Sequence, residues 1–398
     1  MKKYVVYFTI AELCLVSYFL FEPAAAYNWG WNTLPNTFEQ ASVETLDSGY
    51  FDAIKFSKSQ VDIFSAMGIP ALSVAVGVGD KIVWSEARGY ADIDQEITAN
   101  TQTSFRIGSV SKAVTSVALA KLIDAVALNI EDKVTKYLPD YKYNDVTIKH
   151  LASHTSGIRN YDVCLCIPIF EYYSNDAYAS VDEGLEMFVQ DPLLFEPGTD
   201  FSYSSYNFTL LSAVLEKAVD DSFYELMKNE VFAPLEMHQT TFDFNDSIFT
   251  HRAEFYEVRY GEYKKSFEVD NSNKWAGGGI ISTPTDLVKM GLSLLNKDFI
   301  SRETFEIITT PVALNNGEIN EQNYTLGWRK SEFGFDVIPD KVTVIHHGGT
   351  AVGSTALLLL VPDYQLTVAI SMNRSVEDFP LFDLAKPIIG AFINQIMG

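Results

Sequence analysis

Within FRIGSVSK, at residues 105–112, a serine (Ser109) stands three positions before a lysine (Lys112) at the head of an apolar stretch. On one helical turn two such residues have Cβ atoms about 5–6 Å apart, within reach of a hydroxyl-to-amine hydrogen bond. An amine that takes the hydroxyl proton turns the serine into a nucleophile. Only a neutral amine can do this, and holding a lysine of ordinary pKa neutral at pH 7 costs about 4–5 kcal/mol unless burial or a nearby cation shifts it. Residues 109–128 are apolar nearly all round, with Lys121 and Asp124 the main charges beyond the first turn, so the helix they predict is a buried one and supplies that burial. The competing reading makes Ser109 a helix N-cap, a position serine favours. A capping box, however, wants Glu or Gln where Lys112 stands, and a cation there opposes the helix dipole. The charge of Lys112 therefore favours chemistry, and the Ser109 backbone N–H at the helix start is placed to donate to an oxyanion.

Two further stretches carry polar groups at structural junctions. PGTDFSYSSYNFTLLSAVLEKA, at 197–218, puts Tyr203 and Ser205 before an apolar helical run. IHHGGTAVGST, at 345–355, puts His346, His347, Gly348 and Gly349 between strand-like segments. Singly, a tyrosine packs in cores and a glycine pair marks a turn or a close backbone approach. His154, in SHTSG, reads as a structural histidine at a helix end. The chain has no GxSxG elbow, no HExxH and no paired Cys/His spacing, and Gly277–Gly279 are not followed by the GK[ST] of a phosphate loop. No metal and no cofactor are expected.

SVSK, then YSS, then HHGG, in this order and at these separations, resembles the serine β-lactamase and penicillin-binding-protein superfamily, in its class C-like branch of D,D-peptidases, esterases and D-aminopeptidases. LASHTSGI at 151–158, PGTDFSYSS and KWAGGGIISTPTDL at 274–287 extend the resemblance from about residue 68 to the C-terminus. The phrase at 270–279 nearly repeats one found in animal serine β-lactamase-like members, which are usually mitochondrial. The resemblance implies Ser109 as the acylated nucleophile, Lys112 as the amine assisting its deprotonation and Tyr203 as partner base and acid. His346 then stands where other branches place the lysine of K-T-G, orienting Tyr203 and binding an anionic substrate group. The Gly349 N–H completes the oxyanion hole with that of Ser109. Two departures bear on substrate range: Ser205 replaces the Asn of Y-x-N, with a shorter hydroxyl for an amide, and the histidine is doubled. That doubling leaves His346 and His347 as alternatives, His346 fitting the spacing to Gly348.

The elements that must position these groups follow from patterning. A helical segment at 51–67 precedes two β-rich runs, 70–76 and 81–86, around a glycine-containing turn; strands are expected at 342–346, 355–361 and 365–371, and a closing amphipathic helix at 379–396. Sheet at both ends and helices between predict an α/β fold: an α/β lobe from about 40–108 and 275–398, and a mainly helical lobe at about 109–274, forming one catalytic domain over 27–398. The family resemblance implies an antiparallel sheet flanked by helices.

The 398 residues are 47% hydrophobic, enough for a sizeable core. A formal charge of -23 repels phosphate backbones and anionic lipid, so nucleic acid is excluded as a partner. Lys2 and Lys3, an apolar run at 4–21 and Ala24–Ala26 have the layout of a secretory signal cleaved after Ala26, with an uncleaved membrane anchor as the alternative. The first arginine is Arg88, unlike an arginine-rich mitochondrial transit peptide, although family analogy points to that organelle. Cys14 leaves with a signal; Cys164 and Cys166 would close a very small ring if bonded. Sequons at Asn207, Asn245, Asn323 and Asn373 accompany export, the last three in polar surroundings that admit a glycan. The expected activity is hydrolysis of a peptide or amide through an acyl-enzyme. Alternatives are an esterase or β-lactam hydrolase of the same fold, or an idle scaffold; homo-oligomers are compatible with each.

Overall fold

The computed structural model describes residues 7, 9–10, 12–18, 29–35, 41–161, 171–244, 251–297, 299–335, 338–376 and 380–398. Its centre is an antiparallel sheet whose strands come from both ends of the chain: β1 (Ala41–Leu46), β2 (Ala71–Val78), β3 (Lys81–Asp92), β4 (Arg329–Phe335), β5 (Ile338–Ala351), β6 (Ser354–Val361) and β7 (Leu366–Met372), in the order β4-β5-β6-β7-β2-β3-β1. A short eighth strand, Ile97–Thr98, pairs with β3. The β2–β3 hairpin closes through Gly79 and Asp80, with Val78 paired to Lys81 and Gly79 at φ +66°, a left-handed conformation that glycine adopts without cost.

Strands β2, β6 and β7 are buried on both faces, which is why LSVAV and LLLLV read as unbroken apolar runs. Alternate residues serve different layers. Val74, Val76, Leu357 and Leu359 pack with helices α1 (Phe51–Ser65) and α7 (Leu381–Met397), against Ile54, Val61, Ile388 and Phe392. Ala75, Leu358 and Leu360 face the other way, into a core shared with α2 (Val110–Asp124), α3 (Ser205–Val219), α5 (Pro284–Asn296) and α6 (Arg302–Thr309). The short helix α4 (Trp275–Gly278) packs against both α2 and α3. One hydrophobic cluster thus crosses from the sheet into the helices.

Two edge strands, β1 and β4, were not anticipated by the strand-like runs of the sequence. Within β4, RKSEFGF mixes charges, glycine and aromatics, and only Phe335 is buried outright. Among the described residues no helix is long and apolar enough to cross a membrane. Cys164, Cys166, Asn245 and the cleavage site after Ala26 lie outside the described residues. Asn373 contradicts the expectation of a glycan: it is fully buried, accepting from the Ala71 N–H at 2.6 Å and donating to the Tyr90 carbonyl at 3.1 Å. Asn207 is equally buried, beside His154 and Ser156. Asn323 is exposed.

Candidate active site

Helix α2 is anchored where it starts. A small sheet of Phe105–Arg106, Ile280–Ser282 and Thr241–Phe242 holds the preceding chain, the Ile107 N–H donating to the Ile280 carbonyl at 3.1 Å. Ser111 Oγ accepts from the Ile280 N–H at 3.2 Å, and Arg106 pairs with buried Asp243 at 2.6 Å. Strand β5 closes on the same turn: a Cβ on Gly349 would lie 2.0 Å from the Ile107 carbonyl oxygen and 2.7 Å from the Ser109 nitrogen. Only glycine fits there, and its closeness brings the β5 edge against the backbone of Ser109.

Ser109 occupies the N-cap position of α2 but its side chain caps no backbone N–H. Its half-buried hydroxyl instead lies 3.2 Å from Lys112 Nζ. The same Nζ donates to the Gly277 carbonyl at 2.6 Å and to Ser205 Oγ at 3.0 Å. A neutral amine has two N–H donors and one lone pair, and these three contacts use them all if Ser109 donates. Lys112 is fully buried, and burial, with the like charges of Arg329 and Lys274 adding to it, holds it well below the ordinary lysine range. Close packing permits this arrangement: a Cβ on Gly277 would approach the Ser205 carbonyl to 3.0 Å.

Tyr203 stands beside Ser109, and its ring centroid lies 4.8 Å from Lys112 Nζ. Burial raises its phenol above the ordinary tyrosine value, against the opposing pull of Arg329 and of the Ser109 hydroxyl, so it is a protonated acid at neutral pH. His154 lies against it, with ring centroids 4.3 Å apart, and accepts the Ser204 N–H at 3.3 Å. From sequence His154 has only a structural reading; the fold places it as a neutral wall of the Tyr203 pocket, its pKa depressed well below the ordinary histidine value by burial.

The doubled histidine resolves against the expected residue. His346 points away from the nucleophile, with Nε2 2.9 Å from Ser331 Oγ and its ring between Phe333 and Phe382, on the α7 side of the sheet. Strand alternation puts His347 and Gly349 together on the opposite face. There His347 Nδ1 donates to the Gly348 carbonyl at 2.7 Å, leaving Nε2 to accept from Tyr324 Oη at 2.9 Å and Arg329 Nη1 at 3.3 Å. Burial and then Arg329 keep His347 uncharged. Strand parity was the missed signal: the histidine sharing a face with Gly349 is two residues before it.

Three further groups were assigned no role from the sequence. Arg329 stacks over Tyr203 and Tyr324, its guanidinium carbon 5.3 and 5.1 Å from their ring centroids, and donates to Gln322 Oε1 at 2.8 and 3.1 Å. Tyr161 is buried beside Ser205, and burial raises its phenol. Lys274, within the KWAGGG phrase, is buried at the start of α4. Among the described residues no group of three His, Cys, Asp or Glu side chains could hold a metal.

A serine hydroxyl in contact with a buried, neutral lysine, with a protonated tyrosine beside the pair and the edge of an antiparallel strand above them, defines a serine hydrolase of the acyl-transfer type. The profile described as Beta-lactamase matches residues 60–388, and the chain belongs to that family. It is 30% identical over 387 residues to human serine beta-lactamase-like protein LACTB, mitochondrial, covering 75% of this chain and 70% of that protein. Against penicillin-binding protein 4* of Bacillus subtilis it is 27% identical over 320 residues, covering 77% and 68%. The fold superposes on a D-amino acid amidase from Ochrobactrum anthropi SV3, complexed with L-phenylalanine amide, with a TM-score of 0.73 at 18% identity, covering 86% of this chain and 99% of that one.

Proposed function

We propose that the protein cleaves small amides or peptides through an acyl-Ser109 intermediate. The reading is carried by the contact set of Lys112, a fully buried amine whose one free lone pair faces Ser109 Oγ. Lys112 takes the hydroxyl proton as Ser109 Oγ attacks the carbonyl carbon. The oxyanion is met by the Ser109 N–H and the β5 edge at Gly349. Tyr203 gives its proton to the leaving nitrogen as the C–N bond breaks and regains one from Lys112; water then releases the acyl group. Ser205 holds the lysine in line. Gly348 fixes the His347 tautomer. The anionic-group role assigned from the resemblance to His346 passes to Arg329, which among the described residues has no carboxylate partner and stands beside Tyr203. The amidase relative favours an amide over an ester substrate. Release of ammonia from phenylalanine amide tests this: wild type cleaves it and Ser109→Ala does not. Cleavage of nitrophenyl esters with no amide turnover would contradict it.

The leader-like run at 4–21 and Ala24–Ala26 supports export with cleavage after Ala26, whereas the human relative's name places that protein in mitochondria. N-terminal sequencing of the mature protein decides: a start at Tyr27 supports export, and recovery from mitochondria contradicts it.

A further inference from the structure

The chain that leads into Ser109 and the end of β5 run past each other in opposite directions. A Cβ on Gly349 would lie 2.7 Å from the Ser109 nitrogen, and one on Gly108 would lie 2.7 Å from the Thr350 carbonyl oxygen. Two residues further along each segment the contact passes to a side chain: Arg106 Nη1 donates to the Val352 carbonyl at 3.0 Å. Arg106 stands three residues before Ser109, and the carbonyl it holds stands three residues after Gly349. One side chain thus bridges the two sides of the oxyanion site, the Ser109 N–H and the β5 edge at Gly349.

Arg106 is itself fixed. Its Nε donates to Asp243 Oδ2 at 2.6 Å, the same oxygen accepts from Asn271 Nδ2 at 2.7 Å, and Asp243 Oδ1 pairs with Arg252 at 2.7 Å. The Phe255 ring packs on the guanidinium, with its centroid 4.1 Å from the central carbon. Arg106 is 4% exposed and Asp243 1%, so the pair is shielded from water. The Ser354 hydroxyl donates to the Arg106 carbonyl at 2.8 Å, tying the start of β6 to the same residue. Ser375 holds the intervening turn, its Oγ accepting from the Gly353 N–H at 2.6 Å and donating to the Ala351 carbonyl at 3.1 Å. A buried ion pair adds little net stability over apolar residues of the same volume, and its best-attested use is to fix register. A planar guanidinium suits that use, because its donors leave in fixed directions, Nε toward Asp243 and Nη1 toward Val352.

We propose that Arg106, held by Asp243, is a positioning residue for acyl transfer: it sets the separation of the Ser109 N–H from the Gly349 edge, so that both meet the oxyanion as the carbonyl carbon becomes tetrahedral. Contacts of that kind act in the transition state and not on the bound ground state. Loosening the clamp therefore lowers kcat and leaves KM in place.

Because this role rests on the acyl-Ser109 reading, the experiment carries an arm for each. The probe is 1-amino-2-phenylethaneboronic acid, which is phenylalanine amide with a boronic acid in place of its carboxamide. Ser109 Oγ adds to boron, its proton passes to Lys112, and a boron-bound oxygen takes the oxyanion position. Its inhibition constant, with kcat and KM for phenylalanine amide, is measured on the full chain for wild type, Arg106→Lys, Arg106→Met and Asp243→Asn. Each is normalised to the fraction of chains that a fluorophosphonate labels at the end point. The three variants lower kcat about 10–100-fold and raise the boronate constant in proportion, while KM stays within about three-fold of wild type. Arg106→Lys shares the loss although it keeps the charge, because one ammonium does not span both acceptors. Unchanged kcat and boronate constant per labelled chain, or a KM that rises as far as kcat falls, overturns the role of Arg106. A loss confined to the labelled fraction, or failure of all three variants to fold, makes the pair structural and also overturns it. Wild-type protein that binds the boronate no more tightly than Ser109→Ala instead removes the acyl-Ser109 reading itself.

Discussion

Ser109 Oγ and Lys112 Nζ stand 3.2 Å apart in the first turn of α2, and the serine hydroxyl satisfies no backbone N–H of that turn. The N-cap position is occupied by a residue whose side chain is committed elsewhere. Removing that hydroxyl accordingly costs the helix no cap.

Lys112→Arg preserves length and positive charge but cannot present a lone pair, because guanidinium does not deprotonate in proteins. Acylation of Ser109 is expected to fall about 10²–10⁴-fold, the range for losing a positioned general base. Stopped-flow labelling checks it, and a rate near wild type would show that the lysine acts only as a charge.

Tyr203→Phe separates leaving groups. An amide nitrogen needs a proton to depart and a nitrophenolate does not, so amide cleavage should drop about 10²–10⁴-fold while nitrophenyl ester acylation changes far less. Parallel assays on the two substrate types measure the gap. Equal losses would assign Tyr203 to deprotonating Ser109 instead.

The two histidines predict opposite phenotypes. His347→Ala removes the acceptor that Tyr324 and Arg329 share at 2.9 and 3.3 Å, freeing both beside Tyr203, and a misplacement of that kind costs about 10²-fold in kcat/KM. His346→Ala leaves the site's contacts intact, and kcat/KM should stay within about two-fold of wild type. Steady-state kinetics on the pair distinguishes them.

His346 carries a pH signature of its own. Burial, then Arg329, lowers it from 6.5 to about 3, so the folded protein holds it neutral while the unfolded chain takes up a proton below 6.5. The stability it contributes is complete above 6.5 and is lost as pH falls toward about 3, at up to about 1.4 kcal/mol per pH unit. His346→Leu should flatten the fall of the urea midpoint between pH 6.5 and 4. His150, His154 and His347, shifted in the same direction by burial, add to that slope.

Much of this site was legible in the chain because its parts are local. Ser109 and Lys112 share one turn, and the apolar residues behind them announce burial. The buried strands β2, β6 and β7 show as apolar runs. Edge strands β1 and β4 do not, since one side of each faces solvent and charged residues interrupt the pattern. Arg329 and Tyr161 reach the site through the fold, not through any spacing, just as Lys112 meets Ser205 across 93 positions and Gly277 across 165. The choice between His346 and His347 depended on strand parity, which counting residues to Gly348 ignores. Fixing parity on Gly349, the position that must lack a side chain, gives His347.

Intact-mass and peptide-mapping analysis of the protein after exposure to a fluorophosphonate or a penicillin tests the central claim most directly. The expected result is one adduct per chain, located on the peptide containing Ser109 and absent in Ser109→Ala. An adduct that persists in Ser109→Ala, or wild-type protein that takes up no acylating probe, would contradict a nucleophilic Ser109.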